Sequence, residues 1–169
     1  MKIVHLELAG FYNENMSYQT NQLVKQNCLD GHDVTIISTN YQWKEGILSR
    51  IPIGNHITAE GARLIRLPYV PSLSNFNYHK FRKVRGLYRL LESIAPDVIL
   101  SHDLCYWSVR DVIRYKQDHP EVKLYSDTHA DYYTSGTNWL SLHVLHRIFY
   151  RHLVQKALPY LEKHLCISD

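Results

Sequence analysis

Asp33-Val34-Thr35-Ile36-Ile37-Ser38 is the stretch that most narrows what this chain can become. Four of its six residues are β-branched, and they run without the apolar/polar alternation of a half-exposed strand. A strand of that kind is buried on both faces, which is the situation of a parallel sheet covered by helices. Upstream, Lys2–Leu8 suits a first strand. From Met16 to Asp30, apolar side chains at 16, 23, 24 and 28 share one helical face, and Gly31 supplies the left-handed residue that ends a helix. The first 38 residues therefore predict β-α-β with a right-handed, parallel crossover.

The rest of the chain repeats the alternation. Thr39–Glu60 has no sustained period and is expected to be an excursion holding a short hairpin. Ala62–Leu67 predicts a third strand, stopped by Pro68 and Pro71. Phe81, Val84, Leu87, Tyr88, Leu91 and Ile94 keep helical spacing, and Val98–Ser101 follows as a fourth strand. Cys105, Val109, Val112, Ile113 and Lys116 mark a third helix, and Val122–Ser126 a fifth strand. Trp139–Lys156 is amphipathic and helical, Pro159 interrupts it, and His164–Ser168 closes as a sixth strand. The expected fold is α/β: a Rossmann-like, doubly wound parallel sheet of six strands in the order 3-2-1-4-5-6, in one three-layer domain.

At 169 residues one domain spans the chain. A formal net charge of +3 is too small to point to nucleic acid. Cys28, Cys105 and Cys166 are odd in number and far apart, which reads as packed, reduced thiols rather than a disulfide framework. The N-terminus lacks the features of a signal peptide, and no apolar run approaches a bilayer span. A cytoplasmic protein is the expectation, with a peripheral position at the inner membrane face as its variant.

In open α/β sheets ligands bind beyond the carboxyl ends of the strands. The loops there carry Phe11, Tyr12, Tyr41, Trp43, Tyr69, Tyr106, Trp107, Tyr132 and Tyr133, nine of the twenty aromatics. Such rings suit sugar faces or a nucleobase, or else cap the sheet edge. The richest loop follows the fifth strand, where Asp127, Thr128, His129 and Asp131 crowd together. His129 is the leading candidate there for moving a proton, with Asp127 as its orienter. His102 and Asp103 follow the fourth strand and should share a cleft with Gly10 of the first loop. No Gly-x-Gly-x-x-Gly follows Leu8, which argues against a nicotinamide or flavin dehydrogenase. His143 and His146 lack the partners of a metal motif, and no cysteine is placed as a nucleophile. The segment 79–89 has five basic residues and no acid, either a solvated helix face or a basic amphipathic helix on anionic lipid.

Taken together, Met1–His5, Met16–Leu23, Gly31–Ser38, Ala62–Leu67, Pro96–His102, the strand ending Asp127-Thr128-His129 and Cys166-Ile167-Ser168 resemble the N-terminal domain of a GT-B-fold glycosyltransferase, of the retaining, family 4-like class. The resemblance covers essentially all 169 residues. It implies an acceptor-binding half for transfer from a nucleotide-diphosphate sugar, the donor substrate, to a glycan or lipid-linked acceptor, with no further cofactor and no metal. It implies His129 at the transferred sugar, and Gly10, Tyr18 and His102 toward the donor. Asp103, Asp127, Asp131, Tyr132 and Tyr133 would face the acceptor, and segment 79–89 would be the place for a peripheral membrane contact. The first loop departs from the family in holding Gly10 alone where members often carry a glycine pair. The donor-binding second domain of that family has no counterpart in these residues, so the chain by itself is expected to be inactive. A non-catalytic sugar- or protein-binding module is the competing expectation, and an epimerase half a third.

Overall fold

The structure, a computed structural model, describes residues 1–70, 78–128 and 139–166. Its centre is a sheet of seven strands, six of them parallel. In chain order β1 is Lys2–Glu7, α1 is Gln19–Leu29 and β2 is Asp33–Thr39. A hairpin of β3 (Tyr41–Lys44) and β4 (Ile47–Arg50) stands apart from the main sheet, and β5 (Gly54–Ile57) then leads into β6 (Arg63–Leu67). After α2 (Tyr78–Phe81) and α3 (Leu87–Ile94) come β7 (Val98–His102), α4 (Val109–Asp118) and β8 (Lys123–Thr128). The segment Ser141–Tyr150 runs into α5 (Arg151–Ala157), and β9 is Lys163–Cys166.

The sheet order is β5-β6-β2-β1-β7-β8-β9. Counting only the six strands read from sequence, this is 3-2-1-4-5-6. The addition is β5, which pairs antiparallel to β6 at the edge. Its residues, Gly54-Asn55-His56-Ile57, are short and polar enough to carry no strand signal, and an edge position asks for none.

The two faces are covered unevenly. On one side Val24 of α1 packs with Val34, Ile36 and Leu64. On the other, Leu6, Ile37 and Ile99 meet Leu91 of α3, Val112 of α4 and Leu153 of α5 in the larger core. The β-branched run of β2 is buried on both faces as its sequence predicts: Val34 and Ile36 belong to the first cluster, Ile37 to the second.

Three elements differ from expectation. The helix read from Phe81 begins at Leu87 instead, because Gly86 takes φ 77° and Arg82 φ 50°, and Val84 bridges to Tyr69. The basic segment 79–89 is accordingly not one amphipathic helix. Its charges point different ways, with the Arg82 guanidinium over the Tyr150 ring and the Lys83 ammonium over Trp107. Ser141–Tyr150 has the wider i→i+5 hydrogen bonding of a π-helix, a geometry frequent at functional sites. And Cys166 is exposed rather than packed. Gly86 itself has a checkable consequence. A methyl there would meet nothing within 4 Å, so Gly86→Ala carries only the left-handed backbone penalty. The expected loss is about 1 kcal/mol in urea unfolding, and an unchanged midpoint would refute the assignment.

Candidate functional site

Beyond the carboxyl ends of β1 and β7, where chain order reverses, lies a cleft of about 1320 Å³. Gly10, Phe11 and Tyr18 form one rim, and the π-helical segment with Lys80 and Arg82 forms the opposite wall. His143, His146, Arg147 and Arg151 make that wall basic. The floor is acidic, with Glu7 and Asp103.

The first loop is built to stay put. Tyr12 N–H donates to Ser38 Oγ at 3.2 Å, and Asn21 Nδ2 donates to the Asn13 carbonyl at 3.0 Å. Asn13 Oδ1 accepts from Trp43 N–H at 2.9 Å. Arg66, only 2% exposed, donates to the Tyr12 and Thr39 carbonyls and pairs with Glu14 at 3.1 Å. Although burial raises the Glu14 carboxyl, its bonds to His56 and Arg66 outweigh that and hold it below the usual range.

Beneath the cleft a polar chain crosses the sheet. The registers His5↔Leu100 and His102↔Asp127 put His5, His102 and Asp127 on the α1 side in adjacent rows, the face opposite Leu6. Asp127 lies 2.9 Å from His102 Nδ1, His102 Nε2 lies 3.0 Å from His5 Nδ1, and His5 Nε2 lies 2.9 Å from Asn27 Nδ2. With one proton on each ring, His102 donates to Asp127, His5 donates to His102, and Asn27 donates to His5. The imidazoles stack, with centroids 5.3 Å apart and planes 10° from parallel. Every ring nitrogen is thus engaged, and His102 is 3% exposed. It borders the cleft but has no nitrogen left over for a ligand. Its geometry is that of a positioning residue rather than a direct contact.

Asp103 takes φ 68°, a backbone state that aspartate tolerates better than most residues. Its Oδ1 accepts from the Leu104 and Cys105 amides, which holds the loop after β7 in this turn. Behind it, Tyr106 is fully buried and shares a 2.8 Å hydrogen bond with Ser101 Oγ.

Glu7 is the residue that sequence reasoning passed over. It ends β1, half-buried on the cleft floor, and its Oε2 accepts from Thr20 Oγ at 3.2 Å. Burial pushes its carboxyl up from 4.5 to about 7; His102 and the Thr20 bond oppose this, while Asp127 and Asp103 add to it. His5 moves the other way, from 6.5 to about 3, through burial first and His102 second, with Asp127 opposing.

These shifts act on stability with opposite signs. Between pH 4.5 and about 7 the folded state holds a proton on Glu7 that the unfolded chain releases, so stability falls as pH rises. Between about 3 and 6.5 the unfolded chain protonates His5 and the folded state does not, so stability rises with pH. Each slope is at most about 1.4 kcal/mol per pH unit, less for Glu7 because the cleft partly solvates it. From 4.5 to 6.5 the two largely cancel. Glu7→Gln should uncover the His5 slope, seen as a urea midpoint that climbs steadily from pH 4 to 6.5. A flat profile in that variant would reject the assignment of His5.

Of the residues singled out from sequence, the described ones Gly10, Tyr18, His102 and Asp103 all border the cleft, and Tyr18 stands 56% exposed at its rim. Asp127 is 2% exposed and serves His102. His129, Asp131, Tyr132 and Tyr133 lie outside the described residues. The aromatic rim divides: Tyr12, Tyr69 and Tyr106 are buried core, while Phe11 stays at the cleft with Trp43 edge-on at 6.3 Å. Among the described residues no group of three His, Cys, Asp or Glu side chains could hold a metal, and no helix is long and apolar enough to cross a membrane. No known protein-family model matches the chain, and no curated protein sequence matches it.

Proposed function

We propose that this chain is the acceptor-binding half of a glycosyltransferase that moves a sugar from a nucleotide-diphosphate donor to a glycan or lipid-linked acceptor, acting with a separate donor-binding domain. The observation that carries the reading is the large cleft at the switch point of a doubly wound sheet, acidic on its floor and basic on its far wall. Carboxylates and aromatic rings suit sugar hydroxyls and sugar faces. Arg82, Arg147 and Arg151 suit a phosphate at the other end of the same ligand. Transfer needs the acceptor hydroxyl held beside the anomeric carbon and the leaving diphosphate neutralised, and this chain would contribute the first of these.

Calorimetric titration with oligosaccharides and with uridine and guanosine diphosphates tests the reading. Measurable saccharide binding with weaker nucleotide binding is expected. Binding of neither, together with a stable protein partner, would favour the non-catalytic module. Turnover by this polypeptide alone would overturn the half-enzyme reading.

A further inference from the structure

The first βα loop of a doubly wound sheet ordinarily leaves room for a ligand phosphate against the helix that follows, and a glycine there lets the backbone come close. In this chain Gly10 meets the Glu7 carboxyl there. A Cβ on Gly10 would clash with Glu7 Oε1. The absent side chain therefore makes space for Glu7, a residue of the protein itself. The other carboxyl oxygen, Oε2, is tied to Thr20 in the first turn of α1, a turn that holds no acidic residue of its own. Glu7 Oε1 has no hydrogen-bond partner among the described residues and borders the cleft.

We propose that Glu7 fills the first-loop anion position, so that this subsite turns phosphate away and instead takes the hydroxyls of a neutral sugar, which Glu7 Oε1 accepts. The proposal rests on the transferase reading only for what the rest of the ligand is. A carboxylate accepts from adjacent hydroxyls, and Phe11 and Tyr18 on the same rim offer faces for the sugar's apolar side. An ionised carboxyl repels a phosphate brought to the same helix turn, whereas a protonated one tolerates it. Phosphate entry here must then take up a proton. Among the described residues the groups that act on Glu7 are Thr20 from α1, His102 from the end of β7, Asp103 from the loop beyond it, Asp127 from β8, and Tyr69 from the loop after β6. The raised carboxyl places the change of state near neutral pH.

Amide spectra of the full chain, labelled with nitrogen-15, read this subsite locally through Gly10 and Thr20, whatever binds at the basic wall. The probes are inorganic pyrophosphate and the methyl glycosides of glucose, galactose and N-acetylglucosamine. At pH 8, pyrophosphate should leave the Gly10 and Thr20 signals of the natural protein unmoved, while at least one glycoside shifts them. Lowering the pH from 8 to 6 should strengthen the pyrophosphate response at these amides about tenfold per unit above the Glu7 titration. In Glu7→Gln that dependence should vanish, pyrophosphate should bind at pH 8 at least tenfold more tightly, and the glycoside should weaken about tenfold. Pyrophosphate shifts at Gly10 and Thr20 of the natural protein that are already full at pH 8, or unaffected by pH, would overturn the proposal. So would silence of both amides toward every glycoside. Pyrophosphate itself gains a proton between pH 8 and 6, so sulfate, which does not, is titrated beside it, and the sulfate series with the natural protein decides the matter even if Glu7→Gln folds poorly. Glycoside shifts at these amides together with turnover by this polypeptide alone would sink the half-enzyme reading and leave this subsite standing.

Discussion

Asp127→Ala should lower the unfolding free energy by about 2 to 3 kcal/mol, the range for losing a buried hydrogen bond to a charged group and stranding its donor. Asp127 is the sole carboxylate of the chain that runs through His102 and His5 to Asn27. Without it, His102 Nδ1–H is left buried and unpaired, and an alanine leaves a void besides. Against a total stability of about 5 to 15 kcal/mol this is a substantial part. The measurement is a shift of the urea midpoint at constant m-value, which separates lost stability from a changed unfolded state. Asp127→Asn keeps an acceptor in place and should cost less than half as much. A loss below about 1 kcal/mol for the alanine variant would show that the chain of bonds is not a stabilising unit. A double-mutant cycle between Asp127 and Asn27, which do not touch, should still give a coupling above about 0.5 kcal/mol, because the two share the same pair of rings.

Arg66→Ala should cost about 3 kcal/mol and should loosen one loop specifically. Its guanidinium is buried with three acceptors, the carbonyls of Tyr12 and Thr39 and the carboxylate of Glu14. Truncation strands two buried carbonyls at once. Tyr12 and Glu14 belong to the first loop, so hydrogen exchange of the amides from Tyr12 to Asn15 should accelerate far more than that of β1 or β7. Arg66→Lys should not restore protection, since a single ammonium lacks the fork that reaches three acceptors. Uniform acceleration across the sheet would mean that Arg66 acts on global stability alone.

The fold could be read from the chain because its dominant signals are local. Val34, Ile36 and Ile37 declare a doubly buried strand, and Gly31 declares the helix end before it. What escaped was governed by position in the finished sheet. Gly54–Ile57 became a strand because the edge beside β6 was open to it, not through its own propensity. Gly86 sits inside an apolar period that reads as helix through to Phe81, yet its left-handed backbone stops the helix at Leu87. At the site, Asp103 and His102 were visible as polar residues at a strand end. Glu7 and His5 were not, since alternating polar residues in a first strand ordinarily face water. That they turn inward follows from α1 lying over them and from β1 being central, neither of which a window of a few residues contains. The same limit applied to His102, whose two nitrogens are claimed by groups 97 residues before it and 25 after.

Those separations also bear on the order in which the molecule can assemble. His5 and Asn27 are 22 residues apart, within the first β-α unit, whereas His5 and His102 must be joined across 97. The larger closure costs about 1.3 kcal/mol more in chain entropy, so the first unit has the advantage of forming early. The chain of hydrogen bonds needs β1, β7 and β8 all in place, and the cleft above it needs the same three. A partly folded molecule therefore has no binding site to offer. The exchange rate of the His102 amide should match that of global unfolding, which would make ligand competence a property of the whole domain at once.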